Sequence, residues 1–228
     1  MRHLLVLAMS ILALAAAAHA AELAIVIAID VSTSVTADSY ILQRDGIARA
    51  FKNPRLIDAV SATPGGIEAL VLEWSDPESI AVAIPWTHIT DKRSATAFAV
   101  SVHAAARNSG GLTAIGPALA AAAAQFERLP QPSGRRVIDI SGDGIANIGA
   151  PPQAIRDRIV KAGITINGLA IETEQPWLSE YYRHNVIGGP GAFVLAAQDF
   201  HSFAAAMLKK LVTEIAGDGA PARRAQMQ

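Results

Sequence analysis

No cysteine occurs among the 228 residues. That excludes disulfides, thiolate-bound metal and cysteine nucleophiles, and it suits an oxidising compartment, where thiols are not left free. It also excludes a lipid anchor built on a cysteine directly after a leader. Charge is scarce at 17% and nearly balanced, with 19 basic against 20 acidic residues. Neither nucleic acid nor an anionic membrane surface is therefore an expected partner. His88, His103, His184 and His201 show no HExxH or paired spacing, which argues against a zinc site. No GxSxG elbow surrounds a serine. The run Gly188-Gly189-Pro190-Gly191 lacks GxGxxG or Walker spacing and precedes a strand, so it reads as a structural turn and not as a phosphate cradle. No internal repeat and no interdomain linker is visible.

What is present begins with a leader. Met1-Arg2-His3 is short and basic, residues 4–18 are apolar except for Ser10, and Ala18-His19-Ala20 offers small residues where a signal peptidase reads. The run is shorter than the roughly 18–20 residues a membrane span needs. The expectation is a signal peptide over 1–20, one domain over 21–216 and a flexible tail over 217–228. Cleavage near Ala20/Ala21 would leave a periplasmic or secreted protein with no stable membrane span. Without Arg2 the formal charge becomes −2, 18 basic against 20 acidic. At 51% hydrophobic the mature chain has the composition of a globular domain.

Residues 23–30 form an apolar, β-branched run ending in Asp30, which reads as a strand buried on both faces, as in a parallel sheet. A helix over 39–52 follows, capped by Asp38 or Ser39 and broken at Asn53-Pro54. Strands are expected over 67–74 and 80–86, and the short link between them permits only an antiparallel hairpin. Helices over 92–107 and 117–128, a strand over 135–141, a helix over 152–162 and a strand over 164–171 come next. A helical turn over 177–182, a strand over 192–195 and a helix over 200–215 close the chain. The alternation predicts an α/β fold, a three-layer Rossmann-like sandwich with helices on both faces of a mostly parallel sheet. Asp139 stands inside an apolar strand. Pairing with Arg135, Arg136 or a nearby helix end would give it a structural role.

In such sheets ligands bind outside the carboxyl ends of the strands, where strand order reverses. Three polar clusters belong at that end: Asp30-Val31-Ser32-Thr33-Ser34, Gly110-Gly111-Leu112-Thr113, and Ser141-Gly142-Asp143-Gly144. Together they offer two carboxylates and three hydroxyls, with no imidazole and no thiol. Such an all-oxygen set suits a hard cation, Mg²⁺ first with Mn²⁺ or Ca²⁺ as competitors. Two acids do not saturate the ion, which keeps affinity for an anionic oxygen from outside, such as a partner's carboxylate.

Asp30-x-Ser32-x-Ser34 resembles the opening element of the metal-ion-dependent adhesion site (MIDAS) of von Willebrand factor type A (VWA) domains. Gly111-x-Thr113 before the Ala118-Leu119 helix resembles the second element, and Asp143-Gly144 after a hydrophobic strand the third. The resemblance covers nearly the whole mature chain. It implies a six-stranded sheet in the order 3-2-1-4-5-6 with one antiparallel edge strand. It also implies that Ser32, Ser34 and Thr113 touch the metal by hydroxyl, while Asp30 and Asp143 act largely through water. The family usually places Thr or Ser directly before the third-element aspartate. Here Gly142 intervenes, which leaves Asp143 free to shift or turn inward. The segment 181–193 resembles a bacterial subgroup of uncharacterised exported proteins, DUF1194-like. The implied function is a non-enzymatic, metal-dependent protein-binding module whose partner offers an acidic side chain. The alternatives are a metal-assisted hydrolase using the same acids, and a VWA scaffold that no longer depends on metal. Glu172 and Glu174 follow a strand on the same side and read as solvated acids.

Overall fold

A computed structural model describes residues 21–108 and 110–217. The expected signal peptide over 1–20 and all but the first residue of the expected tail lie outside the described residues. Six strands form one sheet in the order β3-β2-β1-β4-β5-β6. They are β1 (Ala21–Asp30), β2 (Ile67–Trp74), β3 (Ile80–Ile89), β4 (Ser133–Gly142), β5 (Thr165–Ile171) and β6 (Val194–Ala197). Only the β2–β3 pair is antiparallel. This is the expected order, with the hairpin at the expected edge.

The centre of the sheet is why β1 reads as a continuous apolar run. Leu23, Ile25, Ile27 and Ile29 enter one core, while Ala24, Val26 and Ala28 enter the other. Helices α1 (Ala37–Lys52), α2 (Pro54–Ala62), α3 (Lys92–Ala104) and α7 (Phe203–Ala216) cover the first face. Helices α4 (Ile115–Gln125), α5 (Pro152–Lys161) and α6 (Leu178–Asn185) cover the second. The first core packs Phe51, Phe98 and Phe203, and the second packs Trp74, Leu119 and Tyr182. Each face therefore removes a full apolar layer from water, the main driving force for the sandwich. Among the described residues no helix is long and apolar enough to cross a membrane.

Asn53-Pro54 breaks the first helix as expected, but a second helix follows at once, and other local expectations change. Asn53 ends α1 and its side chain accepts Arg55 N at 3.0 Å, so with Pro at the first position it starts α2. The cap of α1 is Thr36, whose hydroxyl accepts Ser39 N at 3.1 Å, not Asp38 or Ser39. Helix α3 stops at Ala104, three residues early, because Arg107 and Asn108 are drawn into other bonds described below. The turn before β6 is structural as expected: Gly189 and Gly191 take φ of 100° and 67°, a region that glycine enters without a side-chain penalty.

Asp139 is fully buried but does not pair with Arg135 or Arg136. Those arginines donate to carbonyls, Arg135 to Glu214 and Ile215 and Arg136 to Ala162. Its partner is Lys210 of α7, at 2.6 Å, and Lys210 also meets Glu214 at 2.5 Å. Asn167 of β5 donates to Glu214 at 2.7 Å. A helix is thus tied to the middle of the sheet by one buried cation between two buried acids.

Candidate functional site

Strands β1 and β4 are neighbours at the centre of the sheet, where the order reverses, and both end at the same edge. Alternation along β1 sends Asp30 to the α4–α6 side, together with Trp74, which it faces in register, and Gly142. Asp30 is completely buried, Ser32 nearly so, and Ser34 is exposed, so the loop after β1 climbs from the interior to the surface.

The loop is held in place. Asp30 Oδ1 accepts Ser32 N at 2.7 Å. Ser32 and Ser34 hydroxyls are 3.1 Å apart, and Ser34 Oγ donates to Asp143 Oδ1 at 2.7 Å. Asp30, Ser32, Ser34 and Asp143 are therefore one connected group. Gly142 is the last residue of β4, paired with Ala170, and the carboxylate that follows it reaches Ser34. Thr113 borders the same turn, its hydroxyl 3.8 Å from where a β-carbon on Gly144 would stand. Asn147 fixes Thr113 by two bonds, accepting Thr113 N at 2.8 Å and donating its own N to Thr113 O at 3.1 Å.

Supporting residues absent from the sequence reading complete the frame. Arg107 donates to the carbonyls of Val31, Ser32 and Val35 at 3.0, 3.1 and 2.7 Å, clamping the first loop. Buried Glu73 of β2 accepts Asn108 N and Nδ2 at 2.9 and 2.7 Å, and Tyr40 OH at 2.7 Å. Gly111 O accepts Thr33 N and Oγ1, joining the two loops. A β-carbon on Gly111 would stand 2.0 Å from the Asp76 carboxylate, which itself accepts Leu112 N, so a side chain at 111 would open the loop. The signal for Glu73 was the one that marked Asp139: an acid in an apolar strand must have buried partners.

Burial pushes the Asp30 carboxyl up to about 7, only partly offset by its bonds from Ser32, and Asp143 adds repulsion. Burial likewise raises Asp143, against the bond from Ser34 and with repulsion from Glu174. Among the described residues neither acid forms an ion pair with Lys, Arg or His, and Asp30 Oδ2 has no protein hydrogen-bond partner. No three His, Cys, Asp or Glu residues gather into a cluster among the described residues. A cation here would have to be held by two carboxylates and hydroxyls, a donor set suited to a hard ion. The residues fit that group, because the orphaned oxygen of Asp30 lies in a polar corner that lacks a counter-charge. A cavity of about 880 Å³ lies elsewhere, at the opposite end of the sheet beside the start of β4 and the end of α7, and none of the five residues lines it.

The fold is that of a VWA-like α/β domain. The chain belongs to the family described as "Protein of unknown function (DUF1194)", whose model matches residues 20–219. No curated protein matches it in sequence. Among solved structures, proximal thread matrix protein 1 from the mussel byssus aligns with TM-score 0.64 and 18% identity over 87% of this chain and 48% of its own. Another structure of that protein, with a zinc-occupied MIDAS motif, aligns with TM-score 0.60 and 18% identity over 87% of this chain and 50% of its own. The von Willebrand factor type A protein from Catenulispora acidiphila aligns with TM-score 0.56 and 19% identity over 86% of this chain and 43% of its own. At such identities the likeness shows the fold. This chain spans about half the length of the mussel protein.

Proposed function

We propose that this protein is an exported, non-enzymatic binding module that holds a divalent cation on Asp30, Ser32, Ser34, Thr113 and Asp143. The observation that carries the reading is a pair of acids without a cation: Asp30 is wholly inside the protein, half-buried Asp143 is its neighbour, and among the described residues no basic side chain pairs with either. A divalent ion supplies the missing charge. Ser32, Ser34 and Thr113 would hold it by their hydroxyls, and Asp30 and Asp143 would balance it through water. Mg²⁺ is the first expectation and Mn²⁺ or Ca²⁺ the competitors; in the mussel protein the MIDAS motif is occupied by zinc. When bound, the ion provides an electrophilic position for an oxygen ligand.

Ser34 and Asp143 stand at the open end of the group, so a carboxylate from a partner protein would approach there. Export rests on the leader over 1–20. His88, His103 and His184 bond to Glu68, Asp45 and Glu180, and none of these bonds involves Ser34. That engagement favours a binding role over a hydrolase that would use Ser34 as nucleophile. The test is thermal melting of EDTA-stripped protein. A ligand that binds only the folded state raises the melting temperature, by about 2.7 kcal/mol of stability at 100 times its Kd. Millimolar Mg²⁺ or Mn²⁺ should raise it and Asp30→Ala should abolish the rise; a flat response in the wild-type protein would remove the metal from the account.

A further inference from the structure

Gly142 directly precedes Asp143 and has no room for a side chain. A β-carbon there would stand 2.7 Å from the Tyr182 hydroxyl, 2.8 Å from Asp30 Oδ2 and 3.3 Å from Trp74 Cζ2. These atoms come from four separate elements: α6 supplies Tyr182, β1 Asp30, β2 Trp74 and β4 the glycine itself. All three side chains are completely buried. Neither the Tyr182 hydroxyl nor Asp30 Oδ2 has a protein hydrogen-bond partner, each other included. A phenol is a donor, an ionised carboxylate accepts on both oxygens, and buried polar groups of this kind are satisfied in native proteins.

We propose that Tyr182 is a positioning residue for the metal site: its hydroxyl donates to Asp30 Oδ2 through one bridging water and holds the carboxylate in its ionised, ion-facing orientation. The inference rests on the metal reading above and deepens it by assigning α6 a part in the site. Asp30 is then gripped at both oxygens, Oδ1 by Ser32 N and Oδ2 by Tyr182. The requirement for glycine at 142 follows, because any side chain there would take the space of the hydroxyl. The tyrosine ring has a separate job. Its Cδ1 packs where a β-carbon on Gly168 of β5 would stand, at 2.9 Å, so phenylalanine preserves that packing and removes only the donor.

The test measures Mn²⁺ affinity by calorimetry and the melting temperature of EDTA-stripped protein, for wild type, Tyr182→Phe and Gly142→Ala. Residues that orient metal ligands change affinity by about 10–100-fold. Tyr182→Phe should weaken Mn²⁺ by that factor while melting within a few degrees of wild type. A purely structural tyrosine would lower the melting temperature and leave affinity alone, and an unchanged affinity overturns the proposal. Gly142→Ala, which crowds the same hydroxyl, should also weaken Mn²⁺ and serves if the phenylalanine variant does not fold. A double-substitution cycle of Tyr182→Phe with Asp30→Asn, read by stability without metal, separates the two readings. If the wild-type protein binds no Mn²⁺ the proposed function fails, and the cycle still decides the tyrosine contact: non-additivity supports it and additivity overturns it.

Discussion

Asp30 and Asp139 sit on adjacent strands of the same sheet, both completely buried, and burial pushes both carboxyls up to about 7. Each also has a second acid beside it, Asp143 for the first and Glu214 for the second. They differ in what balances them. Asp139 and Glu214 share Lys210, an ammonium belonging to the chain, while Asp30 and Asp143 share no basic group among the described residues. They also differ in place: Asp139 is mid-strand under α7, and Asp30 ends its strand at an edge open to solvent through Ser34. Acids brought together inside a protein call for a counter-charge. Mid-sheet the chain carries its own; at the edge the proposed counter-charge is the divalent ion.

Removing the internal cation should break the comparison most sharply. Lys210→Met leaves two buried acids facing each other and should cost about 3–5 kcal/mol, the usual price of stranding one side of a buried ion pair, read as a lower urea midpoint. Replacing the acid instead should do far less harm, because Lys210 and Glu214 still neutralise each other. Asp139→Asn tests the sign of the pH dependence. The folded carboxyl titrates near 7, above its ordinary 3.8. Its contribution to stability is therefore present below about pH 4 and lost as pH rises through 7. The cause is burial first and then repulsion from Glu214, opposed by Lys210, with Asn167 bonded to Glu214 from β5. Melting curves from pH 4 to 8 should fall less steeply for the variant than for wild type, and parallel curves would deny the shift.

At the edge the effects on stability should be smaller and those on metal response larger. Ser34→Ala removes an exposed hydroxyl with one good acceptor and should change metal-free stability by about 1 kcal/mol or less. The same substitution should remove most of the Mg²⁺-induced rise in melting temperature. A large loss of stability with an intact metal response would mean that Ser34 holds the loop and not the ion.

The sheet was legible because its signals are local and strong. β1 is apolar on both faces, and the link of residues 75–79 allows only a hairpin. Three polar motifs at strand and helix ends brought Asp30, Ser32, Ser34, Thr113 and Asp143 to one rim. Less legible was everything that depends on a side chain reaching across the fold. Arg107 looked like the end of a helix and is a clamp on three carbonyls of the first loop. Lys210, in the closing helix, is fully buried beneath it. Gly142 looked like an extra flexible residue, whereas the Tyr182 hydroxyl and the Asp30 carboxylate leave it no alternative. Tyr182 itself carries no local signal, since only tertiary packing brings α6 under the end of β1.

The most direct measurement is a calorimetric titration of Mn²⁺ into EDTA-stripped wild-type protein, Asp30→Asn and Asp139→Asn. The account predicts one ion per chain for wild type and for Asp139→Asn, and binding lost in Asp30→Asn. Absence of binding in the wild-type protein, or binding by Asp30→Asn as tight as by wild type, would contradict it.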